Sequence, residues 1–297
     1  ELGAEVTTDH ASNPIAVGDV VYWNPIRPCN ACYHCTVAQD FTACENGTFW
    51  SPADQSTVWA SYTQVATLLS GNSFYKLDEK VPLNAYVALG CALPTMIQAV
   101  DHIGQIPSGC HVVVQGAGPV GLAAIMMARL AGATHIICIE GNQMRLDQAR
   151  AFGATALIDF RQEGLQTMEA RATHIGGIVG ERGVNLVIEC SGNSSAFEEG
   201  IELLARSGTY LLVSTWAGSG NVPLCPFDVV RKALKIVGST YCSPWCYYRA
   251  AQLVKANYKR FPLESCVTAS YTLEKTLQAL EDVAAGKVIK AVIDPQA

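Results

Sequence analysis

Charge is scarce in this chain. Only 15% of its 297 residues are Asp, Glu, Lys or Arg, against 49% hydrophobic. That balance excludes a disordered chain, which cannot bury enough apolar surface to fold, and implies a densely packed globular protein. Basic residues are the scarcer sign: 20 Lys and Arg stand against 26 Asp and Glu, a formal net charge of −6. An acidic surface gains little from phosphate contacts, so no nucleic-acid partner is expected. No uninterrupted apolar run reaches the roughly 18–20 residues of a membrane span, so no membrane partner is expected either. The opening residues, "ELGAEVTTDH", lack the pattern of a secretory leader. Internal repeats and low-complexity stretches are missing as well.

Cysteine is abundant by contrast, with twelve in the chain. "CNACYHC" supplies Cys29, Cys32 and Cys35, and "TVAQDFTAC" adds Cys44, giving C-x2-C-x2-C-x8-C. The others are scattered, several in apolar segments such as Cys138 in "HIICIE". Thiolates at CxxC spacing can converge on one tetrahedral Zn²⁺, and four sulfur ligands leave no open position, so such a site is structural. Two alternatives stand beside zinc. An iron–sulfur cluster would suit the cysteines, although the short final gap and following proline of bacterial ferredoxins are missing. Disulfides would require an oxidising compartment. Clustered ligands plus buried thiols fit a reduced, cytoplasmic protein.

Three regions differ in texture. Residues 1 to about 90 carry short strand and turn signals: "VGDVVYW", the cysteine lobe, and the alternating "SYTQVAT". From about 92 to 242 strands alternate with helices. "HVVVQGAG", "HIICIEG", "ALIDF", "VNLVIECSG", "GTYLLVST" and "LKIVGST" read as strands. "PVGLAAIMMARLAG", "MRLDQARAFGA" and "AFEEGIELLAR" read as helices between them. Such alternation predicts an α/β fold with a parallel sheet covered on both faces. Residues 243–297 read as two helices, "PWCYYRAAQLVKAN" and "LEKTLQALEDVAAG", and a final strand, "KAVIDP".

"VVVQGAGPVG" places Gly116-x-Gly118-x-x-Gly121 between a buried strand and a helix start. The first glycine makes the turn, the second admits a pyrophosphate, and the third lets helix and strand pack closely. The helix N-terminus offers free N–H groups to the phosphates. Glu140 ends the next strand, roughly 20 residues on, where an acid binds the adenine-ribose hydroxyls. A carboxylate there repels a 2′-phosphate, so NAD is expected over NADP.

The cysteine lobe, followed by "LGCALPT" and then "GAGPVG", closely resembles the zinc-dependent medium-chain alcohol dehydrogenase superfamily. The resemblance covers essentially the entire chain. It implies a Rossmann doubly wound sheet domain at 92–242 and a GroES-like β-rich catalytic domain formed by 1–91 and 243–297. It also implies a structural zinc on Cys29, Cys32, Cys35 and Cys44, with one residue more than the family's usual final gap. Cys91 matches a ligand of the catalytic zinc, and Thr95 and Val120 match positions against the nicotinamide ring. Glu140 matches the acid on the adenine ribose, with Arg145 a basic neighbour. Ser214 falls where backbone groups meet the carboxamide, and Lys290 matches a basic residue reaching the pyrophosphate.

The implied activity is hydride transfer between a primary or secondary alcohol, or its carbonyl partner, and NAD, by a homodimer or homotetramer. Apolar residues around "CALPTMIQAV" and the five tryptophans suggest a hydrophobic substrate. In the family a first cysteine ligand, a hydroxyl residue and a Gly-His-Glu motif precede the point where this chain starts. None of His10, His34, His102, His111, His135 and His174 stands in a Gly-His-Glu context. The chain alone therefore holds an incomplete catalytic zinc site, and its natural product is expected to be longer at the N-terminus. The alternative is a catalytically inactive NAD-binding scaffold retaining only the structural zinc. Intact-mass measurement on the native gene product checks the expectation; a product of this length alone would favour the scaffold.

Overall fold

The structure is a computed structural model and describes residues 1–47, 62–215 and 220–297. Two compact units form: Glu1–Pro94 with Tyr241–Ala297, and Thr95–Thr240. The first unit opens with β1 (Val21–Trp23), α1 (Tyr33–Thr36), β2 (Phe74–Lys76) and α2 (Leu83–Leu89). The chain then passes along α3 (Ala92–His102) into the second unit. There β3 (His111–Gln115), α4 (Pro119–Ala131), β4 (His135–Glu140), α5 (Gln143–Ala151) and β5 (Ala156–Asp159) form one half. The other half is α6 (Met168–Val179), β6 (Val184–Glu189), α7 (Ser194–Leu203), β7 (Leu204–Leu212), α8 (Pro226–Lys232) and β8 (Lys235–Gly238). The first unit is completed by α9 (Pro244–Asn257), β9 (Val267–Thr272), α10 (Thr276–Ala284) and β10 (Lys290–Asp294).

The second unit is built on a six-stranded sheet in the order β5-β4-β3-β6-β7-β8. Every neighbouring pair is parallel. Parallel strands need helical crossovers, which cover both faces and require apolar residues on both. Val112, Val113 and Val114, and Ile136, Ile137 and Cys138, are accordingly fully buried runs rather than alternating ones. The order steps outward from β3 to β5 and then resumes on the opposite side at β6, so loops diverge between β3 and β6. That reversal is the switch point at which doubly wound sheets bind ligands beyond the carboxyl ends of their strands.

A buried polar network props the carboxyl end of β3. Gln115, the last residue of that strand, donates from Nε2 to the Ala196 carbonyl at 2.8 Å and to Glu199 Oε2 at 3.3 Å. Glu199 also accepts from Arg171 Nε, and Arg171 donates to the carbonyls of Leu165 and Gln166 at 2.9 and 3.0 Å. The Tyr210 hydroxyl lies 3.0 Å from Gln115 Oε1 and 2.9 Å from the Ala196 carbonyl. All four side chains are buried, so the pairing of Arg171 with Glu199 serves chiefly to avoid an isolated interior charge.

Structure and expectation differ in the first unit. "SYTQVAT" alternates, but Tyr62–Gln64 form a bend and Val65–Thr67 have no regular structure; Ser61 lies outside the described residues. Alternation specifies a strand only where a partner strand and a covering layer exist. Val65 is instead 75% exposed. The described strands of residues 1–91 are the antiparallel pair β1 and β2, three residues each. Helices α2 and α3 are additional to the elements read above; in α3 Thr95, Gln98 and Asp101 recur at helical spacing, although Ala92–Val100 is buried throughout. Helix α7 stops at Leu203, short of the predicted Arg206, where the chain enters β7 directly.

Replacing Arg171 with alanine leaves Glu199 charged and unpaired in the interior. A loss of roughly 3–5 kcal/mol is expected, read as a fall in Tm. A change near zero would show that the network does not support the sheet.

Candidate functional site

The carboxyl edge of the six-stranded sheet gathers most of the residues singled out in the second unit. β3 ends at Gln115, and Gly116 turns the chain with φ +92. A Cβ on Gly116 would lie 3.1 Å from Ser191 Cα, and one on Gly121 would lie 2.0 Å from the Gly116 carbonyl oxygen. Gly121 has no room for a side chain, and at Gly116 the positive φ and the tight approach of Ser191 both disfavour one. At Gly118, the N-cap of α4, nothing stands within 4 Å of an added Cβ, which leaves open space over the helix start. Pro119 occupies the first turn of α4, where its missing N–H costs nothing. Val120 follows, half-buried. Phosphate oxygens placed there would meet free N–H groups and the positive end of the helix dipole.

Glu140 ends β4 beside this loop. Its Oε1 accepts from the amides of Gly141 and Asn142 at 2.8 and 3.0 Å, and its Oε2 accepts from the Ala117 amide at 2.9 Å. Three backbone donors thus hold the carboxylate against the glycine loop. Arg145, on the first turn of α5, stands 3.9 Å from Glu140 Oε2, and its Nε is buried without a partner. The pair places a fixed acid and an adjacent guanidinium on the β4 side of the switch point.

On the β6 side stands a residue that sequence reasoning passed over. Glu189 ends β6 and is completely buried. Its Oε1 accepts from Ser191 N at 2.6 Å, Ser191 Oγ at 2.6 Å and Gly192 N at 2.8 Å. Its Oε2 accepts from the hydroxyl of Ser214, just beyond β7. Burial, and then the nearby Glu189 and Cys138, push the Cys190 thiol well above its ordinary range. Only the unusual acid in "VIECSG" could have drawn attention to it.

In the first unit the four clustered cysteines converge. Their sulfurs all lie within 4.8 Å of one another, with Cys32 Sγ 3.6 Å from Cys35 Sγ and 4.0 Å from Cys44 Sγ. Tetrahedral zinc with sulfurs at about 2.3 Å sets them about 3.8 Å apart, so the cluster matches such an ion and is far too open for a disulfide. All twelve cysteines are free thiols. The amides of Cys29 and Cys32 point at sulfur, donating at 3.3 Å to Cys44 Sγ and Cys29 Sγ. The Ala31 amide and then that of Cys32 lower the Cys29 thiol to about 6, whereas burial raises Cys35 to about 12. Backbone donors aimed at sulfur stabilise thiolates, the form a metal requires.

Cys91 stands apart from that lobe. It is exposed and follows Gly90, the C-cap of α2, at φ +33. The Tyr22 hydroxyl donates to the Gly90 carbonyl. A Cβ on Gly90 would lie 3.3 Å from Lys290 Nζ, so the Lys290 ammonium adjoins the same turn. The Tyr241 and Tyr247 hydroxyls meet at 2.6 Å, and the Tyr22 and Tyr247 rings pack edge-on at 4.6 Å. Burial raises the Tyr22, Tyr241 and Cys242 groups, with Cys91 among the further causes for each. These groups are therefore neutral hydrogen-bonding partners rather than bases. Among the described residues Cys91 joins no group of three metal-ligating side chains. Thr95 is buried one turn farther along α3. Of the tryptophans, Trp50, Trp59 and Trp216 lie outside the described residues.

A doubly wound sheet with a glycine cradle at its switch point defines a dinucleotide-binding α/β protein. Comparison with known proteins narrows this. The zinc-binding dehydrogenase family model matches residues 119–256. A 5-exo-hydroxycamphor dehydrogenase from Pseudomonas putida is 42% identical over 294 residues, 99% of this chain and 80% of that protein. A probable D-xylulose reductase A from Emericella nidulans is 31% identical, covering 99% of this chain and 76% of its own. An alcohol dehydrogenase from Thermotoga maritima has the same fold at a TM-score of 0.89 and 26% identity, over 98% of this chain and 80% of that one. The chain belongs to the zinc-binding dehydrogenase family, with the Rossmann and GroES-like architecture of the medium-chain alcohol dehydrogenases.

Loss of one lobe sulfur should release a metal ion. Cys44→Ser is expected to hold one zinc per chain fewer than the wild type by elemental analysis and to melt at lower temperature, because metal binding and lobe folding are linked. Equal zinc content in the two proteins would exclude the lobe as a metal site.

Proposed function

We propose that this protein is an NAD-dependent alcohol dehydrogenase that oxidises an apolar secondary alcohol to its ketone, or reduces the ketone. The observation that carries the reading is the glycine cradle closed against Glu140 through the Ala117 amide. It binds the phosphates by Gly116–Gly121 and the α4 N-terminus, and offers a fixed carboxylate to the adenine ribose. Bound there, the dinucleotide would supply a hydride acceptor or donor at its nicotinamide ring. Family membership and the 42%-identical dehydrogenase named for a hydroxycamphor support the substrate class, and the polyol-related reductases keep secondary alcohols in common. The Tyr22, Tyr241 and Tyr247 rings beside Cys91 give that part of the first unit an apolar wall with neutral hydroxyl tips, suited to a hydrophobic substrate bearing one oxygen.

Cys29, Cys32, Cys35 and Cys44 would hold a structural zinc, whose role is to fold their loop. Cys91 contributes one thiolate toward a catalytic metal; among the described residues the remaining ligands of such a site are not assembled around it. The second unit also supports association into a homo-oligomer. β8 is an edge strand, and on and just before α8 Leu224, Phe227 and Val230 are 44, 68 and 77% exposed, apolar surface suited to burial against a second copy.

Cofactor preference follows from charge. A 2′-phosphate beside the Glu140 carboxylate meets like-charge repulsion, so NAD should be favoured over NADP by about tenfold or more in kcat/KM. Replacing Glu140 with serine should narrow that ratio, with Arg145 left to face the phosphate. Absorbance of reduced cofactor across a panel of apolar alcohols, before and after chelation, checks both points. Equal use of the two cofactors by the wild type would contradict the role given to Glu140, and no chelator-sensitive oxidation of any alcohol would contradict the function.

A further inference from the structure

The acid assigned to the adenine ribose ends β4, on one side of the sheet reversal. A dinucleotide lying across the reversal must therefore extend its nicotinamide half over the carboxyl ends of β6 and β7. What organises that side is Glu189. We propose that Glu189 is a positioning residue for the nicotinamide half of the cofactor, acting through the two loops its carboxylate ties together. This inference rests on the dinucleotide reading above and adds a residue that the reading does not require.

The geometry is specific. One carboxylate oxygen takes three bonds from the turn after β6, through Ser191 N, Ser191 Oγ and Gly192 N. The other takes the Ser214 hydroxyl from the segment after β7. The two loops also touch directly, since a Cβ on Gly192 would lie 3.2 Å from the Thr215 carbonyl oxygen. The same turn packs closely against the cradle, where a Cβ on Gly116 would lie 3.1 Å from Ser191 Cα. Glu189 is thus the shared acceptor by which the cradle, the β6 loop and the β7 loop are set in one register. Its carboxylate is wholly buried, so it does not touch the cofactor itself. Its effect would be exerted through the exposed faces of the loops it fixes.

An apolar residue would fill this volume without tying loops. The choice of an acid gives the four donors a single acceptor with no hydrogen of its own to turn away. A glutamine keeps the shape but loses the charge: its NH₂ group either opposes the Ser191 and Gly192 amides or reverses the Ser214 bond, so the tether is weakened. Alanine at Ser214 cuts only the β7 tether.

The two halves of the cofactor can be separated by ligand. ADP-ribose carries the pyrophosphate and adenosine but no nicotinamide, whereas NAD carries both. Calorimetric titration of the full chain with each, for the wild type, Glu189→Gln, Ser214→Ala and the double variant, reads the proposal directly. Glu189→Gln and Ser214→Ala should each weaken NAD by about tenfold and leave ADP-ribose within about twofold. The double variant should be no weaker than the more affected single one, because both act through one tether. Variants that lose NAD and ADP-ribose equally would reduce Glu189 to a structural role and overturn the inference, as would unchanged NAD affinity or additive losses. A wild-type chain that binds neither ligand would remove the dinucleotide reading itself, a failure visible before any variant is compared. Should Glu189→Gln not fold, the Ser214→Ala pair of titrations decides alone.

Discussion

The helix α4 approaches the end of β3 so closely that Gly121 lies where any Cβ would be 2.0 Å from the Gly116 carbonyl oxygen. Much of the second unit is arranged around that contact. It allows the α4 N-terminus to sit directly over the carboxyl end of the central strand, with open space at Gly118 in front of its free amides. It also forces the strand-to-helix turn to be made in a single step at Gly116, in a backbone conformation that side chains resist. Neighbouring loops must then fit a turn with little freedom of its own, and Ser191 packs closely against Gly116.

Three carboxylates surround this turn, and each is satisfied differently. Glu140 is held by backbone amides of its own loop and of the cradle, and remains partly accessible to a ligand. Glu189 is enclosed and shared between two loops. Glu199 is enclosed and paired with Arg171. In an interior of low dielectric an unsatisfied carboxylate is far costlier than the net gain from any one hydrogen bond, so each acid dictates where its donors must be. The acids therefore act as constraints on loop placement. Only Glu140, the least buried, is free to meet a cofactor as well.

How much of this can be read from sequence depends on the distance between partners along the chain. The strand, glycine turn and helix at His111–Ala131 lie in one continuous stretch, so spacing alone reveals them. The same holds for the cysteine lobe, whose ligands fall within sixteen positions, Cys29 to Cys44, and whose sulfurs converge as their spacing implies. Glu189 meets Ser214 from 25 positions away, and Tyr22 meets Gly90 from 68. No local period connects such residues; only the parallel sheet order and the packing of the first unit bring them together. "SYTQVAT" fails differently: Tyr62 and Val65 fall on opposite faces, each shared with polar residues, and no partner strand among the described residues pairs with it.

Cys91 and the clustered cysteines show the same division within a single residue type. Four thiols held by each other and by amides form a closed set whose geometry already matches an ion, so the lobe can be understood without reference to anything outside it. Cys91 has no such set among the described residues, yet its surroundings are fixed: Tyr22 holds the preceding carbonyl, Lys290 adjoins the same turn, and raised tyrosines nearby stay neutral. The turn that carries Cys91 is thus held by side chains that do not themselves ligate. Closed metal sites gain stability from the metal, whereas open ones must be oriented by the protein beforehand. On the proposed reading the lobe would be a staple, and Cys91 would be a ligand whose turn the protein holds in place.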